Sequence, residues 1–263
     1  MIIFFLFTRR FKYMVGVAKN FIPSLENSNV YGSYRLSNLD ISVRDLRLWV
    51  EKSGLYRYRR KLGNSEIEKI FLSDQEVILN PVEPVNLPRS ITNYLFIQFS
   101  KPVLVEPVSS VEIYLTFPIE IGVFVAKGNV LDEIDVFSFI NPKYALYGEP
   151  RGGIIARFWQ SEVFSNPPNV DFLEKGVMKL RIQNLSDYWC EVSKVVFDVF
   201  AMKMYYGDGI VSSIAEMKIQ SRRIAETSFL DKPMFEGMKK AIELYAARRI
   251  PILATKFTME WGI

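Results

Sequence analysis

The sequence predicts an all-β, sandwich-like protein, and three observations carry that prediction. Apolar residues recur at every second position in run after run. Gly, Pro, Asn and Asp punctuate these runs at short intervals. No helical pattern alternates with them, as a parallel α/β sheet would require. The chain has 263 residues, 49% hydrophobic and 24% charged, enough apolar material for one large or two small domains. The expectation is two packed sandwich units, residues 31–166 and 170–263. Residues 1–30 precede them as an N-terminal extension, and at most one short helix falls near the C-terminus.

The extension begins with an apolar run, Ile2 to Phe7, followed by Thr8, Arg9 and Arg10. A secretory signal places its charge before the run, so the order is reversed. The run is also far short of the roughly 20 apolar residues that span a bilayer. It reads as an added strand, a loose arm, an interfacial anchor, or upstream codons with Met14 as the true start. A polar segment, Pro23 to Asn29, separates it from the first alternating run.

Ile41 and Val43, then Leu46, Leu48 and Val50, alternate with a slip at Arg44-Asp45, which suggests a turn or a bulge. Asn80-Pro81, Pro84 and Pro88 read as a proline-spaced connector. Val111, Ile113, Leu115 and Phe117 form a half-buried strand, and Ile119 to Val125 continues the pattern after Pro118. Asn141-Pro142 breaks the chain again, and Asn166-Pro167-Pro168-Asn169 is the candidate domain boundary. Met178, Leu180 and Ile182 make another strand, and Val195 to Tyr206 reads as one long strand. Gly207-Asp208-Gly209 suits a hairpin turn before Ala215, Met217 and Ile219. Met234, Met238, Ala241, Ile242 and Tyr245 fit helical spacing, Ile242, Leu244 and Ala246 equally fit alternation, and Leu253 to Trp261 reads as a final strand.

Composition removes whole classes of chemistry. There is no His, so Ser-His-Asp and Cys-His catalysis lack their base. One Cys cannot furnish the usual zinc ligands or an internal disulfide, which favours a reducing, cytoplasmic compartment. Carboxylate and magnesium chemistry survive. No motif calls for a cofactor or a metal. The net charge of +4 is mildly basic, so local patches matter more than the total.

Two constellations stand out as candidate binding surfaces. In Tyr56-Arg57-Tyr58-Arg59-Arg60-Lys61, a strand sets Arg57, Arg59 and Lys61 on one face and Tyr56, Tyr58 and Arg60 on the other. A basic face beside aromatic rings suits contact with RNA; an edge strand that uses charge to deter pairing reads the same way. The second runs from Lys143-Tyr144 through Tyr147-Gly148-Glu149-Pro150-Arg151-Gly152-Gly153 to Arg157 and Trp159. Its glycines allow close backbone approach and Arg151 is able to clamp an oxyanion. A tight turn with inward aromatics is the plain alternative. Arg222-Arg223 and Arg248-Arg249 read as solvated or helix-end charges. Glu149, Glu162, Asp171, Glu174 and Asp187 are the carboxylates from which a glycosidase-like pair would have to come. Cys190 reads as a buried, inert thiol.

Several phrases resemble, as a set, an uncharacterised archaeal family catalogued as domain of unknown function 432. They are Ile78-Leu79-Asn80-Pro81-Val82-Glu83-Pro84-Val85-Asn86-Leu87-Pro88, Phe117 to Phe124, Pro142 to Arg151, and Met259-Glu260-Trp261-Gly262. The likeness covers Tyr31 to Ile263 and starts at Tyr31-Gly32-Ser33-Tyr34. It implies an archaeal cytoplasmic protein and no mechanism. The residues themselves favour a non-enzymatic binding or assembly module that docks on an RNA–protein particle such as the ribosome, or on a protein partner. It would pair with itself through an exposed sheet edge as a homodimer, with no integral membrane segment. A carboxylate enzyme acting on a sugar or phosphate is the alternative, and a peripheral partner of a membrane protein is a third.

Overall fold

The computed structural model describes residues 30–88, 90–127, 130–248 and 255–263. The expectations for residues 1–29, Arg249 and Leu253 lie outside them. In chain order the strands are β1 (Gly32–Arg35), β2 (Asp40–Val43), β3 (Leu46–Ser53), β4 (Leu55–Leu62), β5 (Ser65–Phe71), β6 (Glu76–Val82) and β7 (Tyr94–Val105). They continue as β8 (Ser109–Pro118), β9 (Glu120–Lys127), β10 (Val130–Phe137), β11 (Tyr144–Tyr147), β12 (Ile154–Ser161) and β13 (Lys175–Asn184). The rest are β14 (Cys190–Asp198), β15 (Met204–Gly207), β16 (Ile210–Ile219), β17 (Ala225–Leu230) and β18 (Lys239–Lys240), followed by the one-turn helix α1 (Leu244–Ala247) and β19 (Lys256–Met259). The protein is all-β with one short C-terminal helix, as its alternation predicts.

Four sheets form: β1-β6-β9-β10, β2-β3-β4-β5, β11-β12-β7-β14, and a larger sheet around β18-β15-β16-β13-β8 that β17 and β19 extend. Most neighbours are antiparallel, but β12 pairs with β7 and β13 with β16 in parallel. The Asn166–Asn169 segment joins β12 to β13, which lie in different sheets, and both of those sheets contain strands from either side of it. β8 pairs with β13 over ten residues, Lys175 opposite Pro118 through Asn184 opposite Ser109. One buried apolar cluster runs from Val30 to Ile263, and a small satellite of Val82, Phe124, Val136 and Leu244 packs α1 against the first sheet.

Local chemistry explains most turns. The slip at Arg44-Asp45 is the β2–β3 turn, with Arg44 at φ 55°. Asp208-Gly209, both at positive φ, closes the β15–β16 hairpin as a two-residue turn of this kind should. Two expectations need correction. Asn80-Pro81 lies inside β6, beyond the last residue paired with β1 (Leu79), where one side of the strand asks for no N–H. Val195 to Tyr206 is two strands, because the Asp198 side chain accepts from Phe200 N at 3.0 Å and caps a 3-10 turn over Val199–Ala201.

Candidate functional site

β4 presents the two faces that its spacing predicts, but its neighbours alter what the basic face can do. Arg59 bridges Glu51 on β3 (3.1 Å) and Glu68 on β5 (2.8 Å), and Arg57 also meets Glu68 (3.4 Å). β4 is flanked on both sides, so the edge-strand explanation of its charges is corrected to cross-strand pairing. Lys61 is exposed beside Glu66. Tyr58 is enclosed in the core, where its hydroxyl donates to Asp135 at 3.1 Å. Tyr56 is half-buried, with the Lys52 ammonium 5.3 Å from its ring.

The second constellation is a hairpin, β11 against β12, whose two ends serve different places. Lys143 and Arg151 are exposed. At the turn, Tyr147 is buried; its hydroxyl donates to Gly262 O (3.1 Å) and accepts from Trp261 N (3.2 Å), with the two rings edge-to-face at 5.5 Å. Gly148 sits at φ +109°, where a Cβ would lie 2.6 Å from the Trp261 ring and 2.8 Å from Gly153 Cα. This turn therefore seats Trp261 beside a cavity of about 450 Å³ that Lys194 and Arg223 also line. At the far end Tyr144 faces Arg157, and that guanidinium is buried.

The carboxylates named from sequence do not form a pair in a cleft. Asp171 and Glu174 both bridge Arg44, and Glu149, Glu162 and Asp187 are exposed on separate turns. Cys190 is buried, 3.6 Å from Asn184 Oδ1. Arg222 lies 4.8 Å over the Tyr188 ring, and Arg248 bridges Glu133 at 2.6 Å. Among the described residues no group of three His, Cys, Asp or Glu side chains is placed to hold a metal, and no helix is long and apolar enough to cross a membrane.

Sequence reasoning missed two features. The first is an exposed apolar end, where the β7–β8 and β13–β14 turns meet. Leu104 is 63% exposed, Val108 78%, Leu185 61% and Trp189 57%. Buried Asn184 staples the two turns: its amide donates to Val105 O, Glu106 O and Tyr188 O at 3.2, 2.9 and 2.8 Å. Its Oδ1 accepts from Ser186 N and Oγ at 3.0 and 2.6 Å, and Val108 N donates to Ser186 O at 3.0 Å. Val108 is held at φ +48°, a conformation a β-branched residue rarely adopts.

The second is a buried polar network under the segment after β6. Asn86 N donates to Glu120 Oε2 (2.9 Å), its Nδ2 to Glu83 O (2.5 Å), and its Oδ1 accepts from Arg248 Nη1 (2.8 Å). Leu244 N donates to Glu83 Oε2 at 3.2 Å, and Tyr144 Oη donates to Leu87 O at 2.6 Å. Burial pushes the Glu83 carboxyl up to about 8, against backbone donors, and Glu120 up to about 7, against Asn86 N and the Arg157 charge. Burial also lowers Arg157, with Glu120 and Tyr144 opposing it. Among the described residues, every buried side-chain nitrogen or oxygen without a hydrogen-bond partner belongs here: Glu83 Oε1, Glu120 Oε1, Arg157 Nε and Nη1, and Arg248 Nη2. Glu83, Asn86 and Glu120 were visible in the sequence only as part of the resemblance phrases.

Neither the curated proteins nor the solved structures compared with this chain contain a match. A model of the family described as Protein of unknown function (DUF432) matches residues 30–260, which include both turns of the apolar end, the β11–β12 hairpin and the buried network. The chain belongs to the DUF432 family.

Proposed function

We propose that this protein is a non-enzymatic binding and assembly module that docks on an RNA–protein particle of ribosome type or on a protein partner. The observation that carries the reading is the apolar end. Four large apolar residues, each more than half exposed, are fixed on two stapled turns and, for Leu104, at the adjoining end of β7. Patches of this kind mark surfaces that a partner covers. Arg222, stacked on Tyr188 beside them, supplies a cation at the rim for a phosphate or an acidic side chain. The cytoplasm of an archaeal cell suits the reading, since a single thiol needs no oxidising compartment. Self-association as a homodimer is a further route to covering the same patch. Carboxylate catalysis has less support, because Asp171 and Glu174 are both tied to Arg44 and Glu149, Glu162 and Asp187 are exposed on separate segments.

The test is sucrose-gradient sedimentation of native lysate at low and high salt, with and without nuclease, for the natural chain and a Leu185→Ser/Trp189→Ser variant. Docking predicts co-migration with particles and its loss in the variant, with unfolding temperatures unchanged. A position at the top of the gradient under every condition refutes it.

A further inference from the structure

A guanidinium taken out of water costs several kcal/mol unless a counter-charge meets it. The other arginines drawn into the interior obey this rule: Arg60 meets Asp135 at 2.7 Å and Arg248 meets Glu133 at 2.6 Å. Arg157 does not. It is 1% exposed, and no carboxylate among the described residues lies within 4.0 Å of it. Its Nε and Nη1 have no acceptor, and Tyr144 supports the charge from one side, as a side-chain hydrogen-bond partner and with its ring 5.9 Å from the guanidinium carbon. Glu120 is close enough for the two charges to feel each other, yet it is held back. Its Oε2 accepts from Asn86 N at 2.9 Å, the Asn86 side chain and the Leu87 backbone also support the carboxyl, and its Oε1 has no hydrogen-bond partner.

We propose that Arg157 and Glu120, with their unpartnered buried atoms, form a closed binding site for a small oxyanion, a carboxylate or a phosphate group. The guanidinium N–H groups would donate to the anion, which is the recognition that arginine performs best. With its carboxyl raised to about 7, Glu120 is protonated in half or more of the molecules below that pH and donates its O–H to the same guest. The Asn86-Leu87-Pro88 strap closes the site through the Tyr144 Oη to Leu87 O bond of 2.6 Å. Leu87 also lines surface cavities of about 590 and 520 Å³. The site is separate from the apolar end and stands or falls without it.

The test is thermal unfolding of the full chain in formate, acetate or phosphate against chloride at equal ionic strength, near pH 6.5. The expected result is a saturable rise in Tm with one of these oxyanions. Glu120→Gln, which removes a competing charge and keeps a donor, should change the apparent Kd little near pH 6.5 and tighten it about tenfold at pH 8, where the Glu120 carboxyl is mostly ionised. Arg157→Met should abolish the rise. The formate and acetate arms against the phosphate arm tell which guest the site prefers. No oxyanion-specific rise in either the natural chain or Glu120→Gln overturns the proposal, as does a tenfold weakening in Glu120→Gln. If Arg157→Met fails to fold, the Glu120→Gln result decides alone. Loss of particle co-sedimentation moves none of these readouts.

Discussion

Asp135 joins two sheets through one carboxylate, and removing it should be among the costliest single changes in the protein. A bulge at Ile134, which is skipped between Glu133 opposite Phe124 and Asp135 opposite Val123, turns Asp135 inward from β10. There it accepts from Arg60 Nε at 2.7 Å, Arg60 Nη2 at 3.4 Å and Tyr58 Oη at 3.1 Å, all from β4. Asp135→Ala leaves Arg60, 5% exposed, with only Ser65 Oγ at 3.2 Å and the Phe137 ring at 5.3 Å. Breaking a buried pair from one side costs about 3–5 kcal/mol, and the orphaned Tyr58 hydroxyl adds about 1 kcal/mol. A loss of roughly 5 kcal/mol is a large share of a typical folding free energy. Tyr58→Phe alone should cost about 1 kcal/mol. Arg60→Met/Asp135→Leu, which removes both charges together, should recover more than half of the loss. Urea unfolding followed by tryptophan fluorescence reads each value, provided the slope with denaturant is unchanged. An Asp135→Ala cost below about 1 kcal/mol would refute the counter-charge reasoning and, with it, the assignment of Tyr58 and Arg60 to the scaffold.

Three further outcomes follow from the same geometry. Glu83 binds its proton more tightly folded (about 8) than at its ordinary 4.5, so its contribution to stability is full below pH 4.5 and drains away as pH rises to about 8. The slope reaches at most about 1.4 kcal/mol per pH unit, and urea midpoints from pH 5 to 9 should flatten in Glu83→Gln. Gly148→Ala drives a Cβ into Trp261 and Gly153 at positive φ, and should cost about 2 kcal/mol in the same assay; a neutral result would mean that the turn relaxes freely. Neutralising Arg57, Arg59 and Lys61 together should leave the salt dependence of particle binding unchanged, because Glu51 and Glu68 pair with the two arginines and Glu66 stands opposite Lys61. A flatter salt slope would show that those residues touch phosphate after all.

Alternation made the strands legible wherever one face is buried and the other wet, as in β8 and β13, whose inward residues were readable from Val111 to Phe117 and from Met178 to Ile182. Pairing was not legible, because a period of two says which side faces in and nothing about which strand lies beside it. The parallel β12–β7 and β13–β16 pairs join residues far apart in sequence, and no turn signal announces them. The basic strand shows the same limit. Its two faces were right, yet the acids that cancel it sit on β3 and β5, visible only once the register is known. The buried network was hidden for a different reason. Glu83 and Asn86 are neighbours, but Glu120, Arg157 and Arg248 lie tens of residues away from them and from one another, and each looks like an ordinary polar residue until burial strips its water. The one local hint was the proline spacing of Asn80 to Pro88, a chain segment too constrained to be a plain loop.

Val108 is where the docking reading meets the sharpest physical test. An L-residue with a branched Cβ at φ +48° carries about 1–2 kcal/mol of strain that glycine would not. The side chain is 78% exposed, so it recovers little of that through burial in the monomer. Val108→Gly should therefore stabilise the isolated chain by about 0.5–1 kcal/mol after allowing for the entropy that glycine loses on folding. It should also remove an apolar contact from the exposed end and weaken co-sedimentation with the partner. Higher stability with weaker binding is the signature of a residue kept for an interface at the expense of the fold. Should Val108→Gly instead lower stability and leave co-sedimentation intact, Val108 belongs to the turn alone, and the apolar end loses the residue that most distinguishes it from an ordinary surface.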